Sequence, residues 1–277
     1  MRIGFIGAGK VGFSLGKYFV NNGKCIVGYY SCNIQTAKDA AKFTESKFFE
    51  NLQTLVFECD TLFLTVPDNA IEEVYNKLYT MNIEGKKLIH CSGVLSTEVF
   101  VNISAKNAKG YSLHPLCAIN DKYTGYKNLS NTYFTIEGTE NDEIVELIKD
   151  CGNNIQVIQG EDKVKYHAAA VCASNLVIGL YDMATRILSE CGLDEEFAKH
   201  SLEQLFIGNA KNIIANGIPA ALTGPVERAD DKTLYKHLSK LKDDDREIYR
   251  LLSAKIIDLA KEKNPERSYE LLENMLK

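Results

Sequence analysis

Short apolar runs alternate with helical patterns through the first half of the chain. The runs are apolar at successive positions, as in strands of a parallel sheet that helices cover on both faces. The segments between them repeat their apolar residues at helical spacing. The strand-like runs are RIGFI, CIVGYY, TLFLTV, KKLIH and KGYSLH. This alternation predicts an α/β fold with a Rossmann-like, doubly wound and mainly parallel sheet.

The pattern changes near Gly160. NTYFTIEG, DEIVELIKDCG and NIQVIQG predict a further strand, a helix that starts at Asp142, and a strand. From Glu161 to the end of the chain, apolar residues recur at helical spacing and no segment has a strand pattern. We therefore predict a Rossmann dinucleotide-binding domain at residues 1–159 and an all-helical substrate and dimerisation domain at residues 160–277.

The segment GFIGAGKVG follows the first predicted strand directly. Gly7, Gly9 and Gly12 have the G-x-G-x-x-G spacing of a dinucleotide-binding turn. In such a turn the first glycine allows the tight bend, the second lets a pyrophosphate approach the backbone, and the third lets the helix pack on the strand. We predict that the whole turn binds the cofactor, namely Gly7, Ala8, Gly9, Lys10, Val11 and Gly12. The alternative is a glycine-rich turn without a ligand.

The second strand ends at Tyr30, where an NAD site places an acidic residue for the ribose 2′-hydroxyl. The residues that follow are Ser31, Cys32 and Asn33. No carboxylate is present to repel a 2′-phosphate, and the side chains of Ser31 and Asn33 can donate to one. The sequence therefore favours NADP over NAD, with Tyr30, Ser31 and Cys32 beside the cofactor. No arginine stands here to strengthen that preference.

The loop TVPDNAI joins the next buried strand to a helix. In an open α/β sheet, ligands bind beyond the carboxyl ends of the strands. Val66, Pro67 and Asp68 lie at such an end, so we predict that they border the dinucleotide. Alternatively, Asp68 serves only as a helix cap.

Two of the five histidines end apolar strands. His90 ends KKLIH, and His114 ends GYSLH directly before Pro115. The proline ring favours an extended backbone at His114 and, because it lacks an N–H group, is predicted to end the strand. Both histidines therefore fall on the ligand side of the sheet. Ser92 follows His90 closely and can reach a nicotinamide or a substrate.

A third histidine opens the first helix of the second predicted domain. In YHAAAVCASN, His167 and Ser174 share one helical face, and Asn175 lies beside them. Polar side chains on so apolar a helix need partners, and a polar ligand can supply them. The alternative is that these side chains hydrogen-bond to neighbouring backbone. His200 and His237 lie in charged segments and are predicted to be on the surface.

The segment LTGPVERADD forms a predicted turn between later helices. Arg228 can hold a carboxylate bidentately, and Thr223 opens the same turn, so both are candidate substrate ligands. A salt bridge within the loop is the alternative for Arg228. Asp230 is expected to cap the next helix.

Composition narrows the functional class further. A net charge of −5 gives no basic footprint for nucleic acid or an anionic membrane. Eight cysteines without a C-x-x-C pair, and no secretory leader, predict reduced thiols and a cytoplasmic protein. No run approaches the length of a membrane span. Three histidines can bind a metal, but their spacing does not specify one, so no metal site is predicted.

Taken together, several segments resemble one group of bacterial proteins. IGFIGAGKVG, VPDNAI, HCSG, SLHPL, YHAAAVCASN and LTGPVERAD are similar to NADP-dependent oxidoreductases that pair a Rossmann domain with a helical carboxyl-terminal domain of unknown function. The resemblance covers nearly the whole chain. More distantly, the chain is similar to pyrroline-5-carboxylate reductase, ketopantoate reductase and the 6-phosphogluconate dehydrogenase superfamily, whose helical domains often dimerise.

This resemblance implies roles for several of the residues above. The three glycines would bind the pyrophosphate and Ser31 would lie at the 2′-phosphate, while His114, His167 and Asn175 would line a cleft between the domains. Two departures matter. Cys32 stands where members often have arginine, and Val171 stands where the superfamily often has a lysine one helical turn before the asparagine.

These observations predict an NADP-dependent reductase or dehydrogenase. Hydride would pass between nicotinamide and a C=O or C=N of a small, polar, carboxylate-bearing substrate. Because no lysine precedes Asn175 by one turn, a histidine, whose ordinary pKa is near 6.5, would move the proton. His114, His167, Asn175 and Ser92 are the candidate catalytic residues, and Ser174 is a further substrate ligand. The alternative is a non-catalytic NADP(H) sensor, and in either case a homodimer is expected.

Overall fold

The computed structural model describes residues 1–138 and 143–277. It contains two compact units, 1–175 and 176–277. The predicted division after residue 159 falls at the end of the sheet, whereas the first unit also includes the helix that follows the sheet. The start of the predicted helix at Asp142 lies outside the described residues.

The first unit alternates strands and helices as the sequence predicts. Its strands are β1 Arg2–Ile6, β2 Cys25–Tyr30, β3 Lys47–Phe49, β4 Thr61–Leu64, β5 Lys87–His90, β6 Lys109–Pro115, β7 Phe134–Glu137 and β8 Ile155–Val157. Its helices are α1 Lys10–Asn21, α2 Ile34–Phe43, α3 Leu52–Glu58, α4 Asp68–Tyr79, α5 Glu143–Asp150 and α6 Lys163–Ala173.

The eight strands of the described chain form one sheet in the order β3-β2-β1-β4-β5-β6-β7-β8. Every pair is parallel except β6 with β7. β1 lies between β2 and β4, so the chain leaves β1 towards one edge and returns to begin β4 on the other side. The predicted fold class is confirmed, and this reversal of strand order is the place where open α/β sheets bind ligands.

The continuous apolar runs are explained by cores on both faces of the sheet. Phe5 and Phe63 pack on one face, where Phe5 also stacks on Tyr29 at a ring separation of 5.0 Å. Leu64 and Ile6 belong to the second core, with the helices of the other face. Because successive side chains on a strand point to opposite faces, both sets of positions must be apolar.

The sequence predicted that β6 ends before Pro115, but Pro115 is the last residue of the strand. The N–H of Leu116 donates to Tyr133 O at 2.9 Å, so in this antiparallel pair the nitrogen of Pro115 faces away from β7. On its other side, β5 stops at His90, opposite Ser112. The missing N–H of the proline therefore costs no ladder hydrogen bond.

The second unit is helical throughout its described length, as predicted. Its helices are α7 Asn175–Glu190, α8 Glu195–Ser201, α9 Glu203–Asn216, α10 Ile218–Ala221, α11 Asp231–Lys240, α12 Asp243–Lys263 and α13 Glu270–Leu276. Leu234, Ile257 and Leu272 are buried in its core. Asp230 caps α11 as predicted, because its carboxylate accepts from the N–H of Thr233 at 3.0 Å.

The first predicted helix of the second domain, which contains YHAAAVCASN, is interrupted at Ser174. The backbone there has φ −129° and ψ −81°, and the Ser174 hydroxyl donates to Ala170 O at 2.7 Å. Such back-bonding competes with the helical hydrogen bonds. His167 therefore lies on α6, whereas Asn175 begins α7, and the predicted single face is divided between two helices.

The stretch 160–190 also has the length and composition of a membrane-spanning helix. An 18-residue window within it has a mean hydropathy of 1.3, and 6% of that window is buried within the chain. The expectation that no segment has the length and composition of a membrane span is therefore wrong. A helix that packs its apolar face against another protein passes the same test, so composition alone does not assign a membrane.

Candidate active site at the carboxyl ends of the strands

The glycine turn is shaped by close backbone contacts. Gly7 has a φ of +98°, which favours glycine, and a Cβ there would lie 2.7 Å from Thr65 O. A Cβ on Gly12 would lie 2.6 Å from Thr65 Oγ1. The Thr65 hydroxyl also donates to Gly7 O at 2.9 Å, which fixes the turn against the end of β4. Two of the three glycines are therefore required by packing alone.

Gly9 differs from the other two glycines. No atom of the described residues would lie within 4 Å of a Cβ there, so the space in front of its backbone is open. Gly9 is also the N-cap of α1, and in the part of the chain that the structure describes no side chain caps that helix. The N–H groups of Lys10, Val11 and Gly12 in the first turn therefore face a site suited to an anion. These residues fit the pyrophosphate of a dinucleotide.

The end of β2 offers polar groups beside the start of α2. Ser31 Oγ accepts from the Thr36 hydroxyl at 3.1 Å. Asn33 caps α2, since its side-chain oxygen accepts from Gln35 N at 3.0 Å. The predicted 2′-phosphate position is therefore a serine hydroxyl next to a helix start. Cys32 is exposed at this position and Tyr30 is partly buried.

Asp68 does not cap α4, so the alternative prediction for it is wrong. Pro67 holds the N-cap position and Asp68 is the first helical residue. Its carboxylate instead accepts from Ser92 Oγ at 2.8 Å. Ser92 Oγ in turn accepts from the N–H groups of Val94 and Leu95 at 3.2 and 3.0 Å. Ser92 and Asp68 thus connect the loop after β5 to the loop after β4.

His90 has the bonding of a structural residue. It is fully buried, its Nδ1 accepts from Ser92 N at 3.3 Å, and its Nε2 donates to Ser96 O at 3.2 Å. Burial, assisted by the nearby Lys163 charge, lowers the pKa of His90 to about 4. Its imidazole is therefore neutral at physiological pH, with both nitrogens engaged by backbone.

This burial predicts a loss of stability in mild acid. Between pH 6.5 and 4 the unfolded chain binds a proton at His90 and the native chain does not, so stability falls as pH falls through this range. A pKa depressed from 6.5 to about 4 corresponds to about 3 kcal/mol. Urea unfolding at several pH values should show a smaller acid loss in His90→Asn. Parallel curves for the two proteins would contradict the prediction.

His114 and His167 converge on the loop after β5. A Cβ on Gly93 would lie 2.5 Å from Nδ1 of His167 and 3.0 Å from Nε2 of His114. The two rings have a centroid separation of 6.1 Å and an interplanar angle of 83°. Gly93 is therefore needed because the backbone meets both imidazoles there. Nδ1 of His167 is buried and has no hydrogen-bond partner among the described residues.

His114 is also uncharged at neutral pH. Burial lowers its pKa to about 4, and the charges of Lys163 and His167 act in the same direction. The expected pKa near 6.5 is thus not found at this position. A neutral imidazole still donates from one nitrogen and accepts at the other. His114 can therefore polarise a carbonyl or an imine as a hydrogen-bond donor rather than as an imidazolium.

Lys163 is a residue of this site that the sequence did not reveal. It is fully buried, and its Nζ donates to Ser92 O at 3.1 Å and to Ser112 Oγ. Burial lowers the pKa of this ammonium, and the Glu137 carboxylate opposes that effect. The contacts attach the start of α6 to the ends of β5 and β6. A lysine at the start of a helix has an ordinary surface pattern, so its burial could not be predicted from the sequence.

The remaining predicted ligands lie on the surface. Ser174 and Asn175 are exposed at the break between α6 and α7. Thr223 and Arg228 are exposed in the second unit. Among the described residues, no group of three His, Cys, Asp or Glu side chains is placed to hold a metal ion. All eight cysteines are free thiols.

The fold and the glycine turn define a dinucleotide-binding protein of the Rossmann class. Residues 2–93 match the family described as NADP oxidoreductase, coenzyme F420-dependent, and residues 132–256 match a domain of unknown function, DUF2520. The chain thus joins an NADP oxidoreductase domain to a DUF2520 domain, the combination that its motifs indicated. The match also confirms NADP as the predicted cofactor. No functionally curated protein matches the sequence.

Solved structures share this architecture over nearly the whole chain. A Thermotoga maritima protein is 27% identical, with a TM-score of 0.75 over 94% of this chain and 99% of that one. A Bacteroides fragilis protein named as an NADP oxidoreductase is 22% identical, with a TM-score of 0.68 over 93% and 98%. A pyrroline-5-carboxylate reductase from Coxiella burnetii is 17% identical, with a TM-score of 0.57 over 94% and 97%. The Bacteroides fragilis and Coxiella burnetii proteins therefore share the fold of this chain.

Proposed function

We propose that this protein is an NADP-dependent reductase or dehydrogenase. Hydride would pass between nicotinamide and a C=O or C=N of a small, polar, carboxylate-bearing substrate. The observation that carries the proposal is the convergence of His114 and His167 at Gly93. The ends of β1, β4, β5 and β6 lie side by side, about 14 Å across at the usual strand spacing. The glycine turn and the two imidazoles therefore lie on the same edge of the sheet.

Each part of this edge has its own task in the proposal. The first turn of α1 binds the pyrophosphate through backbone N–H groups, and Ser31 accommodates the 2′-phosphate. The bound cofactor supplies or accepts the hydride. His114 donates a hydrogen bond to the substrate heteroatom, and His167 offers a second nitrogen to the same group. Arg228 belongs to the second unit and is exposed there, so its role as a carboxylate ligand stays a prediction from the sequence.

The reaction class can be tested with NADPH and two substrate panels. Cyclic imines provide the C=N bond of the proposal within a ring. The 2-keto acids provide its C=O bond next to a carboxylate. We expect NADPH oxidation with members of at least one panel, followed by absorbance. Tight binding of NADPH without turnover in either panel would instead favour the sensor alternative.

Cofactor preference should depend on Ser31. Ser31→Asp places a negative charge at the proposed 2′-phosphate position and should invert the preference from NADPH to NADH. Fluorescence titration of both cofactors measures this effect. Cys25→Asp is the matched control, because Cys25 is exposed at the opposite end of the same strand. Equal effects of the two substitutions, or tighter NADH binding by the unaltered protein, would contradict the assignment.

We further propose a homodimer formed through the helical unit. α7 and α9 expose apolar side chains that a folded monomer would leave in water, among them Leu176, Ile178, Leu205 and Ile214. Light scattering at micromolar concentration should give the dimer mass. Ile214→Glu should yield monomers and Phe57→Glu should not, although both side chains are 86% exposed, because Phe57 lies in the first unit. A monomeric unaltered protein would refute the proposal.

A further inference from the structure

His114 has a neighbour that controls which of its nitrogens carries the hydrogen. The Tyr166 hydroxyl lies 2.8 Å from Nδ1 of His114, and the two rings meet edge to face, with centroids 5.6 Å apart at 90°. Tyr166 is on α6, next to His167 and one turn after the buried Lys163. Nε2, the other nitrogen of His114, faces Gly93. A bond at Nδ1 therefore decides what His114 presents at the candidate active site.

The direction of this hydrogen bond follows from the groups around it. Burial raises the pKa of Tyr166, so the phenol keeps its hydrogen at neutral pH. The His114 imidazole is neutral as well, with a pKa of about 4. One of its nitrogens is therefore a bare acceptor and the other carries the hydrogen. Either the phenol donates to Nδ1, or Nδ1 donates to the phenol and the phenol needs another acceptor.

Thr135 favours the first of these arrangements. It pairs with His114 across the antiparallel β6–β7 ladder, so the two side chains share one face of the sheet. Its buried hydroxyl has no hydrogen-bond partner among the described residues, so it does not accept from the phenol. Among the same residues the Tyr166 hydroxyl has one hydrogen-bond partner, which is Nδ1 of His114. The phenol hydrogen is therefore donated to Nδ1.

We propose that Tyr166 is a positioning residue that donates to Nδ1 of His114 and thereby places the imidazole hydrogen on Nε2, facing Gly93 and Nδ1 of His167. The inference rests on the proposed function, because it assigns the proton that His114 presents to the substrate. The site then offers one fixed donor beside a second imidazole nitrogen that has no hydrogen-bond partner among the described residues. A substrate group that accepts from one nitrogen and donates to the other, such as a hydroxyl formed from a ketone, fits this pair.

Nitrogen NMR of selectively ¹⁵N-histidine-labelled protein tests the inference without a substrate. The five histidines are assigned by single substitutions, and two-bond proton–nitrogen correlations distinguish the two tautomers. We expect His114 with the hydrogen on Nε2 and a bare, hydrogen-bonded Nδ1. In Tyr166→Phe the Nδ1 resonance should shift towards the position of a bare nitrogen without a donor. A hydrogen found on Nδ1, or an Nδ1 resonance that Tyr166→Phe leaves unmoved, would overturn the inference.

The chain carries its own control in a second tyrosine–histidine pair. His237 Nδ1 lies 2.8 Å from the Tyr249 hydroxyl, with ring centroids 5.7 Å apart at 84°. Both residues belong to the second unit. Tyr249→Phe should therefore shift the nitrogens of His237 and leave those of His114 unchanged. If Tyr166→Phe does not fold, labelling with 3-fluorotyrosine replaces it, since a more acidic phenol should shift Nδ1 of His114 in the opposite direction.

The outcomes separate this inference from the proposed function. The predicted tautomer in a protein that turns over no carbonyl or imine would leave the role of Tyr166 intact and refute the reaction. Turnover by a protein whose His114 carries its hydrogen on Nδ1 would refute the role of Tyr166 and leave the reaction intact. In an active protein, Tyr166→Phe should lower kcat more than it changes KM, because the bond acts on the proton and not on binding.

Discussion

Replacing His114 or His167 with alanine should lower turnover by roughly 10² to 10⁴, the usual contribution of positioned acid–base groups. NADPH affinity should stay within a few-fold, because the pyrophosphate site belongs to the glycine turn at the end of β1. The measurements are steady-state rates on any substrate that the panels identify, fluorescence titration of NADPH, and thermal unfolding of each variant.

Two further variants make this result interpretable. His114→Gln keeps much of the side-chain volume. A loss of turnover in this variant is therefore not explained by an empty space at residue 114. His237→Ala is the control for loss of a histidine, since His237 is exposed in the second unit. If both active-site variants unfold early, or if both keep full activity, the catalytic assignment of these histidines is wrong.

Replacement by alanine should lower NADPH affinity at Gly9 and stability at Gly16. Gly9→Ala adds a methyl group in open space at an extended backbone with φ −83°, so stability should not change. The methyl group would nevertheless stand where the pyrophosphate must approach. NADPH affinity should fall by about tenfold or more, which corresponds to about 1.4 kcal/mol.

Gly16→Ala should instead destabilise the protein by about 1 to 3 kcal/mol, the usual effect of overpacking. A Cβ on Gly16 would lie 1.6 Å from the Tyr29 hydroxyl oxygen. Tyr29 is fully buried and stacked on Phe5, so it has no room to move aside. Thermal unfolding beside NADPH titration separates the two effects. A loss of stability in Gly9→Ala, or none in Gly16→Ala, would contradict this account of the turn.

The sequence predicted those parts of the fold that depend on local pattern. The glycine turn, the order of strands and helices, and the cap at Asp230 are each specified by a few neighbouring residues. The break at Ser174 was missed because helical periodicity continues across it. β6 continues through Pro115 because it pairs with β7. The residues of β6 alone do not indicate this antiparallel pairing.

The candidate site was predictable in position and less so in chemistry. Strand ends placed His114 on the ligand side, but its pKa depends on burial and on a lysine far along the chain. Lys163 reaches Ser92, and Tyr166 reaches His114, only because α6 packs against the strand ends. Such long-range contacts leave no pattern in the sequence. Strand-end position likewise did not distinguish His90, whose two nitrogens bond to backbone, from His114, whose Nε2 faces Gly93.

The unequal lengths of β5 and β6 have a consequence for engineering. β6 continues beyond Ser112 to Pro115 after its neighbour has ended, a step of about 10 Å at about 3.3 Å per residue. One wall of the candidate site is therefore main chain, which no single side-chain substitution can remove. Libraries aimed at new substrates should leave this strand intact and vary the length of the loop at residues 91–95, because this loop begins where β5 ends and contains Gly93, which lies beside both imidazoles.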